Sequence, residues 1–424
     1  MRDILHCDLN GFFASVECLK RPELKNVPMA VCGDPDTRHG VILAKNEIAK
    51  KYGVLTAETI YSAKKKCPKL VLVKSNHSDY IKYSNLVNQI YLKYTEKVEP
   101  FSIDESFLDV TESKSLFGTP YEIAYKIKED VKNTLGLTIS VGVSFNRILA
   151  KMGSDLKKPD AITVLSKENF KDILFPLPVN DLIFCGKSTC NTLNKMRIET
   201  IGDLANSDVN RITKKLGKMG LMLYNYANGI DSDKVEKYGT KHTPKSVSKG
   251  VTFPEDITSI EELSNIIRKL SDYISTSLRK NGLTCSVVCI SIKDNMFCVI
   301  NRQKQIFKTD LYQDISNVAI SILKENYTDN RPIRAITVSV SGLESQDDQV
   351  QLDIFTLNSN KKNDLTKEKL ENVTKTIDNI RNKFGDKITF GSMIEKEKNI
   401  NEEKWVSLLF LLFIFFFVCY FFHK

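Results

Sequence analysis

Histidine is scarce in this chain: five residues in 424, scattered so widely that no imidazole cluster offers a zinc site. Cysteine is not scarce, but pairing signatures are missing: the ten cysteines, at 7, 18, 32, 67, 185, 190, 285, 289, 298 and 419, contain no C-x-x-C pair. A secretory leader is missing too, because Met1-Arg2-Asp3 runs straight into a strand-like segment and Asp8 interrupts any apolar leader core. A cytoplasmic protein with free thiols is expected. Cys285 and Cys289 fall four apart in a strand expected over 284–292, so alternation puts them on one face as small apolar fillers. A strong excess of one charge is absent as well. With 61 Lys and Arg against 52 Asp and Glu, the net charge of +9 is mild, although it suits a polyanionic partner. A hydrophobic fraction of 42% and a charged fraction of 27% describe an ordinary folded protein, and the length exceeds one core, so two to four domains are expected.

What the chain does have is acid in apolar surroundings. Asp8 stands in the run Ile4-Leu5-His6-Cys7-Asp8-Leu9, and the pair Asp104-Glu105 in the run from Phe101 to Val110. Both runs are short and rich in Ile, Leu, Val and Phe, so both read as strands of a half-buried sheet, with the acids converging at strand ends. Carboxylates buried there are costly unless a cation holds them. Surface salt-bridge partners would not sit inside two such runs. Carboxylate, carbonyl and water are the ligands that suit Mg²⁺ or Mn²⁺. The arrangement fits a two-metal displacement at phosphorus, one ion activating an attacking hydroxyl and the other neutralising a triphosphate and its departing pyrophosphate.

Four ordered segments then resemble one family: Asp8-Leu9-Asn10-Gly11-Phe12-Phe13-Ala14-Ser15-Val16-Glu17, Ser102-Ile103-Asp104-Glu105-Ser106, Val141 through Lys151 (VGVSFNRILAK), and Asp155-Leu156-Lys157-Lys158-Pro159. The chain is similar, from residue 1 to about 395, to the Y-family translesion DNA polymerases of the bacterial DinB type. The resemblance implies an error-prone polymerase with a multidomain right-hand fold: a ferredoxin-like α/β palm, small fingers, a helical thumb with a helix-hairpin-helix, and an α+β little finger. It implies that Asp8, Asp104, Glu105 and the Leu9 carbonyl hold two Mg²⁺, with Mn²⁺ as a substitute, and that Glu105 helps position or deprotonate the primer 3′-hydroxyl. Phe13, beside Phe12 in the nucleotide site, matches the steric gate against a ribose 2′-hydroxyl. Lys158 matches the lysine that meets the triphosphate, with Lys157 as its neighbour.

The fingers depart from the pattern. Where many relatives carry a Tyr and an Arg on the nucleotide phosphates, this chain has Glu47 and Lys50. Lysine keeps the charge but loses the bidentate fork, and glutamate would repel a phosphate, so Glu47 is expected to pair with Lys50 or Lys51 instead.

The resemblance assigns residues 1–10 and 75–165 to the palm, 11–74 to the fingers, 166–235 to the thumb, 231–243 to a polar linker, and 244–345 to the little finger. Within the palm, Ile123, Ile127, Val131 and Leu135 have helical spacing, so a helix is expected over 121–135. In the thumb, Ile183 to Cys190 resembles a DNA-binding hairpin in which Gly186 gives closeness and Lys187 adds charge; a second Gly-rich turn spans Leu216 to Leu221. Strand-like runs in the little finger cover 245–253, 285–293, 297–302 and 335–342. Lys245, Lys249, Arg302, Arg331 and Arg334 are candidate phosphate contacts, expected as a set on the sheet's DNA face.

Residues 346–404 are expected to hold a clamp-binding peptide and a charged helix. Gln351-Leu352-Asp353-Ile354-Phe355 resembles the bacterial peptide that plugs into the sliding clamp, with Gln351 reaching polar groups and Leu352, Ile354 and Phe355 supplying apolar anchors. An amphipathic helix over 365–384 follows. Nothing in the resemblance accounts for the tail at 405–424, whose residues 405–422 carry no charge and approach the length of a bilayer span. It reads as a dispensable extension, a membrane tether or a partner-binding helix. The expected partners are primer-template DNA, deoxynucleoside triphosphates and the clamp, for a monomer in the cytoplasm at the nucleoid. A nucleotide cyclase with a similar palm and a catalytically weak polymerase-like scaffold are the rival readings.

Overall fold

A computed structural model of the chain describes residues 2–34, 40–327 and 331–345, with residues 373–374, 376–381 and 383 of a further helix. The chain divides into two compact units, Met1–Lys241 and His242–Lys424. The first carries strands β1 (Ile4–Leu9), β2 (Met29–Cys32), β3 (Ile42–Lys45), β4 (Val71–Lys74), β5 (Val98–Pro100), β6 (Glu105–Asp109), β7 (Ile139–Ser144) and β8 (Ile162–Leu165). Five of them form a sheet in the order β5-β6-β1-β7-β8.

β1 sits in the middle, antiparallel to β6 and β7, with every residue buried. Alternation sorts its side chains. Leu5, Cys7 and Leu9 enter the main core beneath the helices His77–Tyr91 and Pro120–Leu135, whose stripe Ile123, Ala124, Ile127 and Val131 is buried. Ile4, His6 and Asp8 point to the other face. There the helix Arg147–Leu156 lies directly on β7, because Gly142 has no side chain: a Cβ at that position would stand 1.8 Å from the Ala150 carbonyl oxygen. Close packing at Gly142 is what brings the polar residues of this helix down onto the acids.

β3, β2 and β4 make a separate three-stranded sheet with its own core of Ala30, Cys32, Ile42, Ala49, Val54 and Ala63. Helices between Phe170 and Ala227 pack around Leu174, Leu193, Ile201, Leu204 and Leu223. One hairpin turns at Phe184, which takes a left-handed φ of 65°, before the helix Lys187–Lys195; the long helix Val209–Ala227 breaks at Gly217.

The polar stretch 231–243, expected as a linker, is held against the first unit over its first eight residues. Arg2 donates to the carbonyls of Asp231 and Asp233, and Arg147 to that of Lys234. Val235 is buried with Ile4, Phe107 and Ala150, and the Glu236 and Tyr238 amides bond Glu99 and Glu96. Composition reported the charged side chains, but backbone hydrogen bonds and one apolar anchor decide the path.

The second unit contains β9 (Ser246–Ile257), β10 (Leu283–Asp294), β11 (Val299–Thr309) and β12 (Ile333–Ser341), all antiparallel in the order β11-β10-β12-β9. The helices Ile260–Lys280 and Tyr312–Asn326 cover one face. β11 begins after a turn at Phe297 and runs past the expected residue 302 to Thr309. A bulge between Cys285 and Val287 reverses the alternation, so Cys285 is buried in the core while Cys289 faces the other way. This corrects the single face expected for the two thiols. The described part of the C-terminal amphipathic helix docks on Ile260–Lys280 through Arg279–Asp378 at 2.6 Å and Arg381–Asp272 at 2.8 Å. The segment 351–355 and the apolar tail 405–422 lie outside the described residues, among which no helix is long and apolar enough to cross a membrane.

Candidate active site

Asp8 and Glu105 are direct partners across the β1–β6 ladder, so their carboxylates share one face. Two lysines from the neighbouring helix and its C-terminal loop bind them together. Lys151 Nζ lies 2.7 Å from Glu105, 3.5 Å from Asp8 and 3.1 Å from Asp155; Lys158 Nζ lies 2.8 Å from both Asp8 and Asp155. Behind them the buried His6 ring shares a hydrogen bond of 2.8 Å with Ser154 and holds Nε2 3.8 Å from Glu105. Lys151, His6 and Ser154 carried no role in the sequence reading; only the close approach at Gly142 reveals them.

Burial pushes the Asp8 carboxyl up to about 6, against the opposing pull of Lys158 and Lys151. Burial opposes the charge of Glu105 as well, yet His6 and Lys151 beside it hold that carboxyl well below its usual range. The ammonium of Lys151 is desolvated, but Glu105, Asp155 and Asp8 raise it above an ordinary lysine.

Asp104 stands differently from the strand position expected for it. The strand starts only at Glu105, and Phe101–Asp104 forms a turn closed by the Phe101 and Ser102 amides on the Glu105 carbonyl. The Asp104 carbonyl accepts from the Leu9 amide at 3.0 Å, which keeps its backbone at the end of β1, while its carboxylate accepts from Ser102 Oγ at 2.6 Å. Among the described residues no three His, Cys, Asp or Glu side chains stand close enough to cage an ion. The donor set still suits a hard divalent cation: Asp8, Leu9, Asp104 and Glu105 all line one cavity of about 380 Å³ and offer it oxygen alone. Below about pH 6 a cation must displace the proton from Asp8. Mn²⁺ affinity, measured by calorimetry, is therefore expected to climb between about pH 5 and 7 and then level; a flat profile would contradict this.

The same cavity holds Phe12, Phe13, Lys45, Glu47, Lys50 and Lys158. Phe12 is buried in the main core, and Phe13 is half-buried, stacked on Tyr80 with ring centroids 4.1 Å apart and planes within 12°. Tyr80 is itself fixed by its hydroxyl on the buried Glu17 at 2.9 Å. Glu47 pairs with Lys50 at 3.5 Å while remaining in the cavity wall.

Three sequence profiles cover most of the chain: the impB/mucB/samB family over residues 7–155, the thumb domain of DNA polymerase-iota over 182–231, and the impB/mucB/samB C-terminal domain over 244–354. A protein of Acetivibrio thermocellus named DNA polymerase IV is 44% identical over 385 residues, 91% of this chain and 95% of the relative. The DNA polymerase IV of Clostridium kluyveri is 38% identical over 94% of this chain and the whole relative. The chain belongs to the DinB-type DNA polymerase IV family. A solved Y-family DNA polymerase chimera shares the fold of this chain, with a TM-score of 0.71, 24% identity, and coverage of 81% of this chain and 99% of that one.

Two of the expected DNA-contact residues lie on the helix-covered side of the second sheet. Arg302 is opposite Ile290, and Lys249 is opposite Val338, both of which face the helices; Arg302 accordingly donates to Asn326, and Lys249 lies over Tyr273. Arg331 pairs with Asp294, and Arg334 stacks on Phe297. The open face of this polymerase's second sheet is built instead from neutral polar groups, including Ser248, Thr252, Thr337, Ser339, Ser291, Asn301 and Gln303, with Lys293 near one end. Strand register, which the sequence did not give, assigns those faces. Lys245 is exposed just before β9. Gly186 caps the helix Lys187–Lys195, and a Cβ there would meet nothing within 4 Å.

Proposed function

We infer that this chain is a template-directed, error-prone DNA polymerase of translesion synthesis, a nucleotidyltransferase adding deoxynucleotides to a primer 3′-hydroxyl. The observation that carries the reading is one cavity holding the facing Asp8 and Glu105 together with Phe13 and Lys158, in a member of the DNA polymerase IV family. Neither a cyclase nor a scaffold needs that combination with a thumb profile.

Asp8, Glu105 and the Leu9 carbonyl would hold paired Mg²⁺, or Mn²⁺, with Asp104 joining once it leaves Ser102. The ions supply charge neutralisation at phosphate and a more acidic primer hydroxyl. The chain's own groups then have separable roles. Glu105, anionic and gripped by Lys151, orients the primer end. Lys158 meets the triphosphate, and Phe12, Phe13 and Lys50 belong to the nucleotide site. Phe13, backed by the stacked Tyr80 ring and so unable to retreat toward it, excludes a ribose 2′-hydroxyl. Primer extension on undamaged and damaged templates tests the activity, and Phe13→Ala is expected to relax deoxy-over-ribonucleotide selection by about tenfold or more. Extension by the intact chain with no loss of selectivity in the variant would overturn the gate.

Residues 1–10 and 75–165 serve as palm, 11–74 as fingers, 166–235 as thumb and 244–345 as little finger in this reading. Duplex contact would come from Gly186 and Lys187 in the thumb and from Lys245, Arg302, Arg331 and Arg334 in the little finger, Arg302 from the exposed edge strand β11 on the helix-covered side, and the three arginines after exchanging their present partners for phosphate. Gln351, Leu352, Ile354 and Phe355 would seat in the sliding clamp. Deleting 351–355 is expected to abolish capture by the β clamp without slowing extension in its absence; undiminished capture would refute the assignment. The reading is completed by a monomer working at the nucleoid in the cytoplasm, tethered to a membrane only if the tail 405–422 inserts.

A further inference from the structure

Three lysines line the cavity, and their partners differ. Lys158 is paired with Asp8 and Asp155 at 2.8 Å, and Lys50 with Glu47 at 3.5 Å. Lys45 has no carboxylate within ion-pair distance among the described residues; its Nζ donates to a hydroxyl, Thr56 Oγ1, at 3.0 Å, and Thr56 also lines the cavity. Its ammonium is partly desolvated on β3, with Lys50 adding repulsion that outweighs the attraction from either Glu47 or Glu58. An ammonium seated on a neutral group keeps its capacity for an anion, whereas Glu47 already satisfies Lys50.

The position follows from the fold. Lys45 is the last residue of β3, and its carbonyl oxygen would stand 3.4 Å from a Cβ placed on Gly11, the residue that starts the helix bearing Phe12 and Phe13. Lys45 therefore stands at the junction between the small sheet and the gate helix. Thr56 reaches it from the loop after the helix Glu47–Lys51.

We propose that Lys45, seated on Thr56, is the fingers-side cation for the triphosphate of the incoming nucleotide, and that Glu47 withholds Lys50 from that role. This deepens the polymerase reading and rests on it. Glu47 in the cavity wall repels a phosphate, and Lys45, two positions earlier, offsets it from the strand instead of the helix. Thr56 fixes the direction of an otherwise flexible side chain, so less freedom is lost when phosphate arrives.

The test is equilibrium binding of dNTP to the protein on a primer-template whose primer is dideoxy-terminated, alongside steady-state extension. Lys45→Met is expected to weaken dNTP binding and raise KM by about tenfold or more, with kcat changed far less. Lys45→Arg should recover most of the loss. Lys50→Met should weaken binding less than Lys45→Met does, whereas Glu47→Gln should tighten it by releasing Lys50. Thr56→Val, which leaves Lys45 in place without its seat, is expected to fall between the wild type and Lys45→Met. Thermal melting separates misfolding from lost binding, since Lys45 and Thr56 are both accessible at the cavity. If the wild-type chain fails to extend a primer, the polymerase reading itself falls. If it extends normally while Lys45→Met binds dNTP like the wild type, or Lys50→Met carries the larger loss, only this assignment is overturned.

Discussion

Replacing Asp8 with asparagine is expected to lower the single-turnover rate of primer extension by well over a hundredfold, more than the ten- to roughly hundredfold typical of losing a group one layer out. The substitution keeps the shape of the side chain and removes only its charge. Asp8 is buried, and its carboxyl is already pushed up to about 6, so the neutral amide relieves a desolvation cost rather than creating a cavity. Lys158 keeps Asp155 as a partner at 2.8 Å. The melting temperature of the metal-free variant should therefore stay within a few degrees of the wild type. Activity lost with the fold retained is the signature of a group that acts on metal and substrate. Extension within tenfold of the wild type would show that Asp8 serves the fold alone, and Glu105 would then have to carry the reaction without its strand partner.

The site was legible where local pattern decides geometry. The apolar run around Asp8 is a fully buried central strand, and the helix covering the back of the sheet begins at Pro120 and buries Ile123, Ile127 and Val131 as their spacing requires. It became illegible where one residue of register matters. The run from Phe101 to Val110 reads as a continuous strand, but the ladder opens at Glu105 and leaves Asp104 in a turn, its carboxylate on Ser102. The bulge between Cys285 and Val287 likewise reverses a face within two residues of strand. Arg302 and Lys249 are basic and strand-borne, as a phosphate-binding surface demands, yet their cross-strand partners Ile290 and Val338 put them on the helical side. No pattern of charge along a strand reveals which neighbour it will meet.

Long-range polar contacts were the other blind spot. Arg147 spans 48 residues to grip Glu99 through both terminal guanidinium nitrogens and reaches the carbonyl of Lys234, turning a polar stretch into a strap. Lys151 lies in a segment that resembles the family, but nothing in that segment announces the acids 143 and 46 residues away. Its importance is a property of the packing at Gly142, where the absence of a side chain lets a helix backbone touch a strand.

Lys151→Met should move two measured quantities in opposite directions. The side chain is only 12% exposed and its ammonium contacts Glu105, Asp8 and Asp155, so removing it leaves close carboxylates to repel one another. Breaking a buried charge group of this kind costs about 3–5 kcal/mol, and the metal-free protein should melt several degrees lower. A divalent cation, however, needs the same oxygens that Lys151 occupies, and a positive charge about 4 Å away opposes its arrival by about 8 kcal/mol at an effective dielectric near 20. Even with most of that screened, Mn²⁺ should bind the variant at least about tenfold more tightly by calorimetry. Metal should then restore much of the lost melting temperature, because anything that binds only the folded state stabilises it. The opposite sign is informative. If Mn²⁺ affinity falls together with stability, Lys151 does not stand in for a cation but holds the carboxylates in the geometry that receives one.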